Sequence, residues 1–387
     1  MSCLATAASQ PTVALYYGND PPWDELRAFD VVVVDPGHPG LDPVPHQHAD
    51  SAVFAYVSVG EVLASRSYFK DIPKDWLIGD NPAWASHVID QAAPGWPAFF
   101  VNKVIAPLWA KGYRGFFLDT LDSWTLVAKA PEQKARQKAG LVSVIRAIKA
   151  RWPKARLIFN RGFEILPQVH ELVWMMAAES LYQGYNPVQD SYVKVSEDDR
   201  NWLLGQLRKV QQDYALPVLV IDYVPLDKRR LARKTARKII GLGFIPWVTT
   251  GDLDALGVGQ IEVVPRKVLV LYDPANGESL NEANPQRLLG IILAYLGLVP
   301  EYYPLTTEPP VPAVDRYAGV ISWIPGDALE GTRWPSWLAK QAHMGLPLAF
   351  FVSFGVDANN PLLTSLGVKD RMLPTGTLSS VQSKDAL

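Results

Sequence analysis

Short apolar segments rich in β-branched and aromatic residues recur eight times in the first two thirds of the chain, with polar stretches between them. They span residues 13–18, 31–36, 53–61, 115–120, 157–162, 172–180, 218–224 and 243–250. Strands that are apolar along their whole length are typical of a parallel sheet buried on both faces. Eight such strands predict a (β/α)8 TIM barrel, an α/β fold whose active site lies at the C-terminal strand ends.

Helical spacing of apolar residues appears in several of the intervening stretches. The segment 134–152 places Leu141, Ile145 and Ile148 on one face and Lys and Arg on the other. Residues 99–111, 198–214 and 227–243 show the same alternation. The longest connection, 62–97, contains Gly and Pro breakers, and such long loops in compact domains are often lids or binding loops.

A second α/β series follows the barrel segments. We assign residues 11–265 to the barrel, 266–375 to a smaller flavodoxin-like open α/β domain, and 376–387 to a disordered tail. No glycine-rich phosphate loop follows the first strand of the second series, so we expect no nucleotide or flavin there.

Composition narrows the class of protein. Of the 387 residues 48% are hydrophobic and 20% charged, and the net charge is -2. No apolar run approaches the roughly 20 residues of a membrane helix, and no basic patch indicates nucleic-acid binding. Cys3 is the only cysteine, so an internal disulfide is impossible.

Ala5 and Ala7 have the spacing of a signal-peptide cleavage site, which favours a periplasmic or secreted protein whose signal peptide has been trimmed. The alternative is an intracellular protein with a poorly ordered N-terminus.

The fourth and sixth segments end in acidic residues, Asp119 and Glu179. Both would open into one bowl, because neighbouring strands lie about 5 Å apart and a single strand intervenes. Carboxylates about 5 to 5.5 Å apart perform retaining glycoside hydrolysis, whereas about 6.5 to 9.5 Å allows inversion. The sequence leaves this distance open but indicates a carboxylate pair for sugar chemistry.

Further polar and aromatic side chains are expected around this bowl as substrate-binding groups. They are Tyr17, Asp35, Glu61, Asp122, Trp124, Asn160, Arg161, Tyr182, Asp222, Tyr223 and Trp247. An acid-rich bowl favours a cationic, polyhydroxylated ligand such as an amino sugar. For Asp35 and Asp222, capping of the next helix is the alternative. His38, His46 and His48 lack a nearby carboxylate pair, so we expect neither a metal site nor a cofactor.

Over about residues 11–265 the chain resembles the polygalactosaminidase-type glycoside hydrolases. The resemblance is carried by five motifs that occur together and in order: YVSVGE, GFFLDTLDSW, AAESLY, IDYV and FIPWVTT. The resemblance implies a (β/α)8 barrel that cleaves α-1,4-linked N-acetylgalactosamine and galactosamine polymers internally. It also implies that Asp119 and Glu179 form the catalytic pair. A cationic aminosugar polysaccharide is the expected partner, with a secretion or scaffold protein of an exopolysaccharide system as a second.

The roles within the pair follow from the resemblance and from local chemistry. Retaining α-glycosidases of similar layout use the strand-four Asp as nucleophile and the strand-six acid as acid/base, which assigns these roles to Asp119 and Glu179. The apolar stretch before Glu179 would raise its pKa, and Arg161 would keep Asp119 ionised. The reverse assignment stays open, as does a non-catalytic polysaccharide-binding barrel that acts as a scaffold.

Overall fold

The structure is a computed structural model that describes residues 10–38, 41–274, 283–310, 313–314 and 316–368. The chain folds into two compact units, of which the first ends at Val264 and the second begins at Pro265. The alanine-containing start and the tail expected to be disordered lie outside the described residues.

Eight parallel strands, β1 to β8, form one sheet in chain order. They are Val13–Tyr16, Val31–Val34, Ala52–Ser58, Gly115–Asp119, Arg156–Asn160, Met175–Glu179, Val218–Tyr223 and Ile245–Thr249. β1 lies beside β8, and the backbone N–H of Tyr17 donates to the carbonyl of Leu253 at 2.7 Å. The sheet therefore curls into a nearly closed barrel, and the predicted (β/α)8 fold is confirmed.

Helices cover the outside of this sheet. They are α1 (Trp23–Leu26), α2 (Trp96–Phe99), α3 (Ala106–Ala110), α4 (Pro131–Arg151), α5 (Glu197–Tyr214) and α6 (Arg229–Gly241), with a π-helical segment, Phe100–Ile105, joining α2 to α3. α4 buries Leu141, Ile145 and Ile148, as its spacing predicts. α5 begins after Ser196, whose hydroxyl accepts from the Asp199 N–H.

Single-turn 3-10 helices occur in the connections. They are Val44–His46, Phe69–Asp71, Lys74–Trp76, Ser123–Leu126, Leu166–Gln168, His170–Leu172 and Leu226–Lys228.

Two connections carry strands of their own. After β3, Glu61–Val62, Leu77–Asn81 and Ser86–Ile89 form a three-stranded antiparallel sheet within residues 61–89, which we call the β3 excursion. After β6, Gln183–Asn186 and Ser191–Lys194 form a two-stranded antiparallel ribbon. Both follow the C-terminal end of a barrel strand, where a TIM barrel carries its active site.

The second unit is a four-stranded parallel sheet with helices. Its strands are β9 (Lys267–Tyr272), β10 (Val299–Pro304), β11 (Tyr317–Ile324) and β12 (Leu348–Val352), and its helices are α7 (Asn284–Tyr295), α8 (Trp334–His343) and α9 (Pro361–Ser365). The order β10-β9-β11-β12 is the 2-1-3-4 winding of flavodoxin-like sheets, as predicted. Among the residues described in either unit, no helix is long and apolar enough to cross a bilayer.

Candidate active site

A cavity of about 570 Å³ opens at the C-terminal ends of the barrel strands. Asp119 of β4, Asn160 of β5, Glu179 of β6 and Tyr223 of β7 line it together. These four residues end their strands, so the barrel itself fixes where their backbones lie.

The two strand-end acids are joined through one amide group. Nδ2 of Asn160 donates to Oδ1 of Asp119 at 2.8 Å and to Oε1 of Glu179 at 3.0 Å. The two N–H bonds of an amide diverge by about 120°, so acceptors at these distances lie about 5 Å from each other. Asn160 thereby sets the separation of the two carboxylates.

Tyrosine hydroxyls complete the pair's hydrogen bonding. Tyr56 donates to Oδ2 of Asp119 at 2.8 Å, and Tyr223 donates to Oε2 of Glu179. The ring of Tyr17 packs against that of Tyr56, with centroids 5.0 Å apart. Each carboxylate oxygen therefore accepts a hydrogen bond from the protein, which holds both groups in one orientation before any ligand binds.

Burial and charge set the protonation of the pair. Burial raises the pKa of Asp119, although the hydrogen bonds from Tyr56 and Asn160 act in the opposite direction. Burial also raises the pKa of Glu179, and the nearby Asp119 charge raises it further, against the hydrogen bonds from Tyr223 and Asn160. An ionised Asp119 therefore favours a protonated Glu179.

The backbone is strained directly after Asp119 and Asn160. Thr120 and Arg161, which follow Asp119 and Asn160, have positive φ values of 61° and 57°. Such a conformation costs about 1 to 3 kcal/mol for a non-glycine residue and concentrates at functional sites. Oγ1 of Thr120 accepts from the N–H of Gly60 at 2.8 Å, which ties this strained turn to the end of β3.

Glu61 anchors the surroundings of the site. It is buried, and it accepts hydrogen bonds from Asn81 and Ser86 of the β3 excursion and from Ser123 after β4. A buried carboxylate needs such donors to offset its lost hydration. Although Glu61 lines the cavity as expected, both of its oxygens are engaged in holding the excursion to the β4 loop.

Ion pairs neutralise two other predicted acids. Asp35 accepts from both terminal nitrogens of Arg66, at 2.7 Å and 3.0 Å. Asp122 lies 3.7 Å from Nη1 of Arg161, whose Nη2 donates to the backbone carbonyl of Glu179 at 2.6 Å. The expected contact from Arg161 to Asp119 is not made; the donors to that carboxylate are instead Tyr56 and Asn160.

Asp222 and Trp247, two of the predicted substrate-binding residues, are fully buried and do not line the cavity. Asp222 accepts hydrogen bonds of 2.7 Å to 2.8 Å from the backbone N–H groups of residues 181–183, and so fixes the turn after Glu179. Trp247 packs edge-on against Phe29. The structure corrects both expectations, because the side chains point into packed protein.

Trp124 and Tyr182 are likewise predicted beside the cleaved bond, and neither lines the cavity. Trp124 is buried, and its Nε1 donates to the carbonyl of Leu121 at 3.2 Å. The ring of Tyr182 lies 4.8 Å from Nζ of Lys238 on α6. Sequence proximity to the acids does not bring these rings to the site. Trp124 points into packed protein although its neighbours Ser123 and Thr125 line the cavity.

Sequence reasoning missed Tyr56 and Arg66, which both line the cavity. For Tyr56 a signal existed: in a β-strand alternate residues share a face, which places Tyr56 and Ser58 together at the end of β3. Arg66 lies on the β3 excursion, where no periodic pattern indicates orientation. Trp84 of the same excursion is one of the aromatic residues that the sequence offers for stacking on sugars, and it does line the cavity.

The three histidines do not gather into a metal site. Nε2 of His38 lies 2.7 Å from the carbonyl of Tyr17, and His46 stacks on Trp23 at 3.9 Å. Across the described ranges, no group of three or more His, Cys, Asp or Glu side chains could hold a metal ion.

Comparisons with known proteins agree on the barrel. Residues 5–265 match the model of Glycoside-hydrolase family GH114. The glycoside hydrolase domain of PelA from Pseudomonas aeruginosa is 37% identical, with 64% of this chain and 98% of that chain covered and a TM-score of 0.57. A glutamate-to-alanine variant of that domain gives 36%, the same coverages and 0.58. A search of curated protein sequences gives no match.

Proposed function

Because the chain belongs to glycoside hydrolase family GH114, we propose that its barrel cleaves α-1,4-linked polymers of N-acetylgalactosamine and galactosamine internally and with retention of configuration. Glycoside hydrolysis follows from the family. The polymer, the internal cleavage and the retention are our proposal. The motif resemblance to polygalactosaminidase-type hydrolases supports the first two, and the spacing of the two acids supports the third.

The separation of Asp119 and Glu179 supports the mechanism most strongly. With ideal amide geometry, hydrogen bonds of 2.8 Å and 3.0 Å from Asn160 place one oxygen of each acid about 5 Å apart, close to the roughly 5 to 5.5 Å of retaining enzymes and below the roughly 6.5 to 9.5 Å of inverting ones. This spacing lets a carboxylate attack directly and leaves little room for an intervening water.

We assign Asp119 as nucleophile, because the charge of Asp119 adds to burial in raising the pKa of Glu179 and so favours a protonated Glu179. The Asp119 carboxylate attacks the anomeric carbon while Glu179 donates a proton to the glycosidic oxygen, so the C–O bond breaks and the leaving sugar departs as an alcohol. Glu179, now ionised, takes a proton from water. The resulting hydroxide attacks the same carbon and releases Asp119.

Charge in the cavity favours a cationic sugar. The lining contains six acidic side chains, Asp35, Glu61, Asp119, Asp122, Glu179 and Asp252, and two basic ones, Arg66 and Arg161. Each arginine is paired with an acid. The surplus of negative charge attracts the ammonium groups of galactosamine and disfavours phosphates and uronates.

Variants of the pair test this proposal. Asp119→Asn and Glu179→Gln should fold and lose hydrolysis of galactosaminogalactan, while the native chain should yield oligosaccharides of mixed length, as internal cleavage requires. Binding of the polymer by native protein without any product would instead support the non-catalytic barrel.

Azide distinguishes the two roles. In Asp119→Ala, azide can replace the missing nucleophile and attack the opposite face, giving an inverted glycosyl azide from an activated substrate. In Glu179→Ala, azide attacks the covalent intermediate and gives a retained product. The opposite pattern of products would reverse the roles.

We also propose that the protein is exported and that it binds a secretion or scaffold protein of an exopolysaccharide system. Fractionation of cells that express the full-length protein tests the location: recovery in the periplasm or medium supports export, and recovery only with cytoplasmic markers contradicts it.

A further inference from the structure

We propose that Trp84, at the turn of the hairpin in the β3 excursion, forms an outer subsite that stacks on a sugar ring at least one unit away from the cleaved bond. This proposal rests on the proposed function, because it assumes a polysaccharide in the cavity. Trp84 lines the same cavity as Asp119 and Glu179, yet 57% of its surface is exposed.

Packing does not account for the position of Trp84. The neighbouring Trp76 and Trp96 pack edge-on with centroids 6.3 Å apart, and Trp96 is fully buried in the core beneath the excursion. Within the described part of the chain, Trp84 forms no comparable ring pair. Unlike an exposed indole elsewhere on the surface, that of Trp84 lies in the lining of the cavity that contains the two acids, so its free face is open to a ligand bound there.

The turn that carries Trp84 is held in place. The N–H of Trp84 donates to the carbonyl of Asn81 at 3.2 Å, and the N–H of Ala83 donates to Oδ1 of Asn81 at 3.2 Å. Nδ2 of the same Asn81 donates to the buried Glu61 at 3.0 Å. The indole is therefore presented from a turn that is anchored to the β4 loop, since Glu61 also accepts a hydrogen bond from Ser123.

Two aliphatic side chains extend the apolar surface. Leu63 and Leu126 line the same cavity and are 36% and 46% exposed. Leu63 belongs to the excursion and Leu126 follows β4, so the surface lies on the β3 and β4 side of the barrel mouth. An apolar face of this kind matches the C–H face of a pyranose ring.

The opposite side of the mouth is polar. Tyr223 of β7, with Gly251 and Asp252 after β8, lines the cavity there. In a ring of eight strands, β7 and β8 lie across from β3 and β4. Asp119 ends β4, and β3, which leads into the excursion, lies on the side of β4 away from Glu179 of β6. The cavity thus continues past Asp119 on the Trp84 side, where we place the outer sugars of a long chain. The indole face also attracts an ammonium group, which suits galactosamine.

Binding to defined oligosaccharides tests the subsite. We would place Trp84→Ala and Trp84→Phe in an Asp119→Asn background and titrate α-1,4-galactosamine dimer and hexamer by calorimetry. Trp84→Ala should bind the hexamer about tenfold more weakly and the dimer with unchanged affinity, a size of effect typical of one aromatic contact. Trp84→Phe should recover most of the hexamer affinity.

Trp202→Ala provides the matched control. Trp202 is 54% exposed on α5 and packs edge-on against Phe163, away from the cavity lining. Its replacement should leave both affinities unchanged. Equal hexamer affinities in Trp84→Ala and the background would overturn the subsite while leaving the proposed function intact. Absence of binding by every protein, the native chain included, would overturn the proposed substrate and the subsite with it.

Discussion

Replacing Asn160 by alanine removes the amide that joins the two carboxylates. Asn160 is buried, and one nitrogen serves both Asp119 and Glu179, so no single other residue makes the same connection among those described. The variant keeps both acids and both tyrosine hydroxyls. It therefore tests whether the separation and protonation of the pair, rather than the presence of the acids alone, support hydrolysis.

The expected loss follows from the two hydrogen bonds. A hydrogen bond to the charged Asp119 contributes about 1.5 to 3 kcal/mol and one to the protonated Glu179 about 0.5 to 1.5 kcal/mol, so losing both at the lower values removes about 2 kcal/mol. If that energy is realised in the transition state, kcat/KM falls roughly thirtyfold. We expect the loss in kcat and little change in KM, because the amide holds the acids rather than the outer sugars.

The pH profile adds an independent signature. Activity requires an ionised Asp119 on the acidic limb and a protonated Glu179 on the alkaline limb. The Asn160 hydrogen bond lowers the pKa of both groups. Its removal raises both values, so both limbs of the kcat/KM profile should move to higher pH.

Steady-state kinetics across pH, on native protein and variant, measure these effects. Asn102→Ala is the control, since exposed Asn102 accepts only a surface hydrogen bond from Arg151. Its profile should match the native one. Limbs that stay fixed in Asn160→Ala, or that move to lower pH, would refute the reasoning, as would an activity loss below about threefold.

Further changes have defined outcomes. Glu179→Gln should raise Tm by a few degrees at pH 7, because the pKa of Glu179 is raised by folding and its charged form therefore opposes folding. The gain in Tm should shrink as the pH falls, since Glu179 of the native chain then becomes protonated and loses its charge. A larger gain at low pH in thermal melts would contradict this. Gly60→Ala should lower Tm and activity together, because a Cβ there would lie 2.1 Å from the carbonyl of Thr120. Gly205 on α5 has open space around it, so Gly205→Ala should leave activity unchanged and stabilise the protein by up to about 1 kcal/mol in denaturant unfolding. A comparable loss of Tm in Gly60→Ala and Gly205→Ala would exclude the close contact at Gly60 as the cause.

The fold was largely predictable from the sequence, because buried parallel strands need apolar side chains on both faces and helices need a 3.6-residue period. Both signals are local. They identify β4 and α4 from residues such as Phe116 and Ile145 alone. The winding of the second unit follows in the same way from alternating strands and helices.

The site was less predictable, because its contacts depend on side-chain direction and on long-range pairing. Asp119 and Glu179 meet since their strand ends share one cavity, but Asp222 at another strand end is turned inward onto backbone N–H groups. The Asp35–Arg66 ion pair joins a barrel strand end to the β3 excursion, which no sequence spacing reveals.

The anomeric configuration of the first product decides between retention and inversion. Proton NMR during the early phase of galactosamine hexamer cleavage distinguishes α and β reducing ends before they interconvert. A retaining reaction through Asp119 and Glu179 gives the α anomer first. Initial formation of the β anomer would show inversion and would contradict direct attack by Asp119 within the Asn160-bridged carboxylate pair.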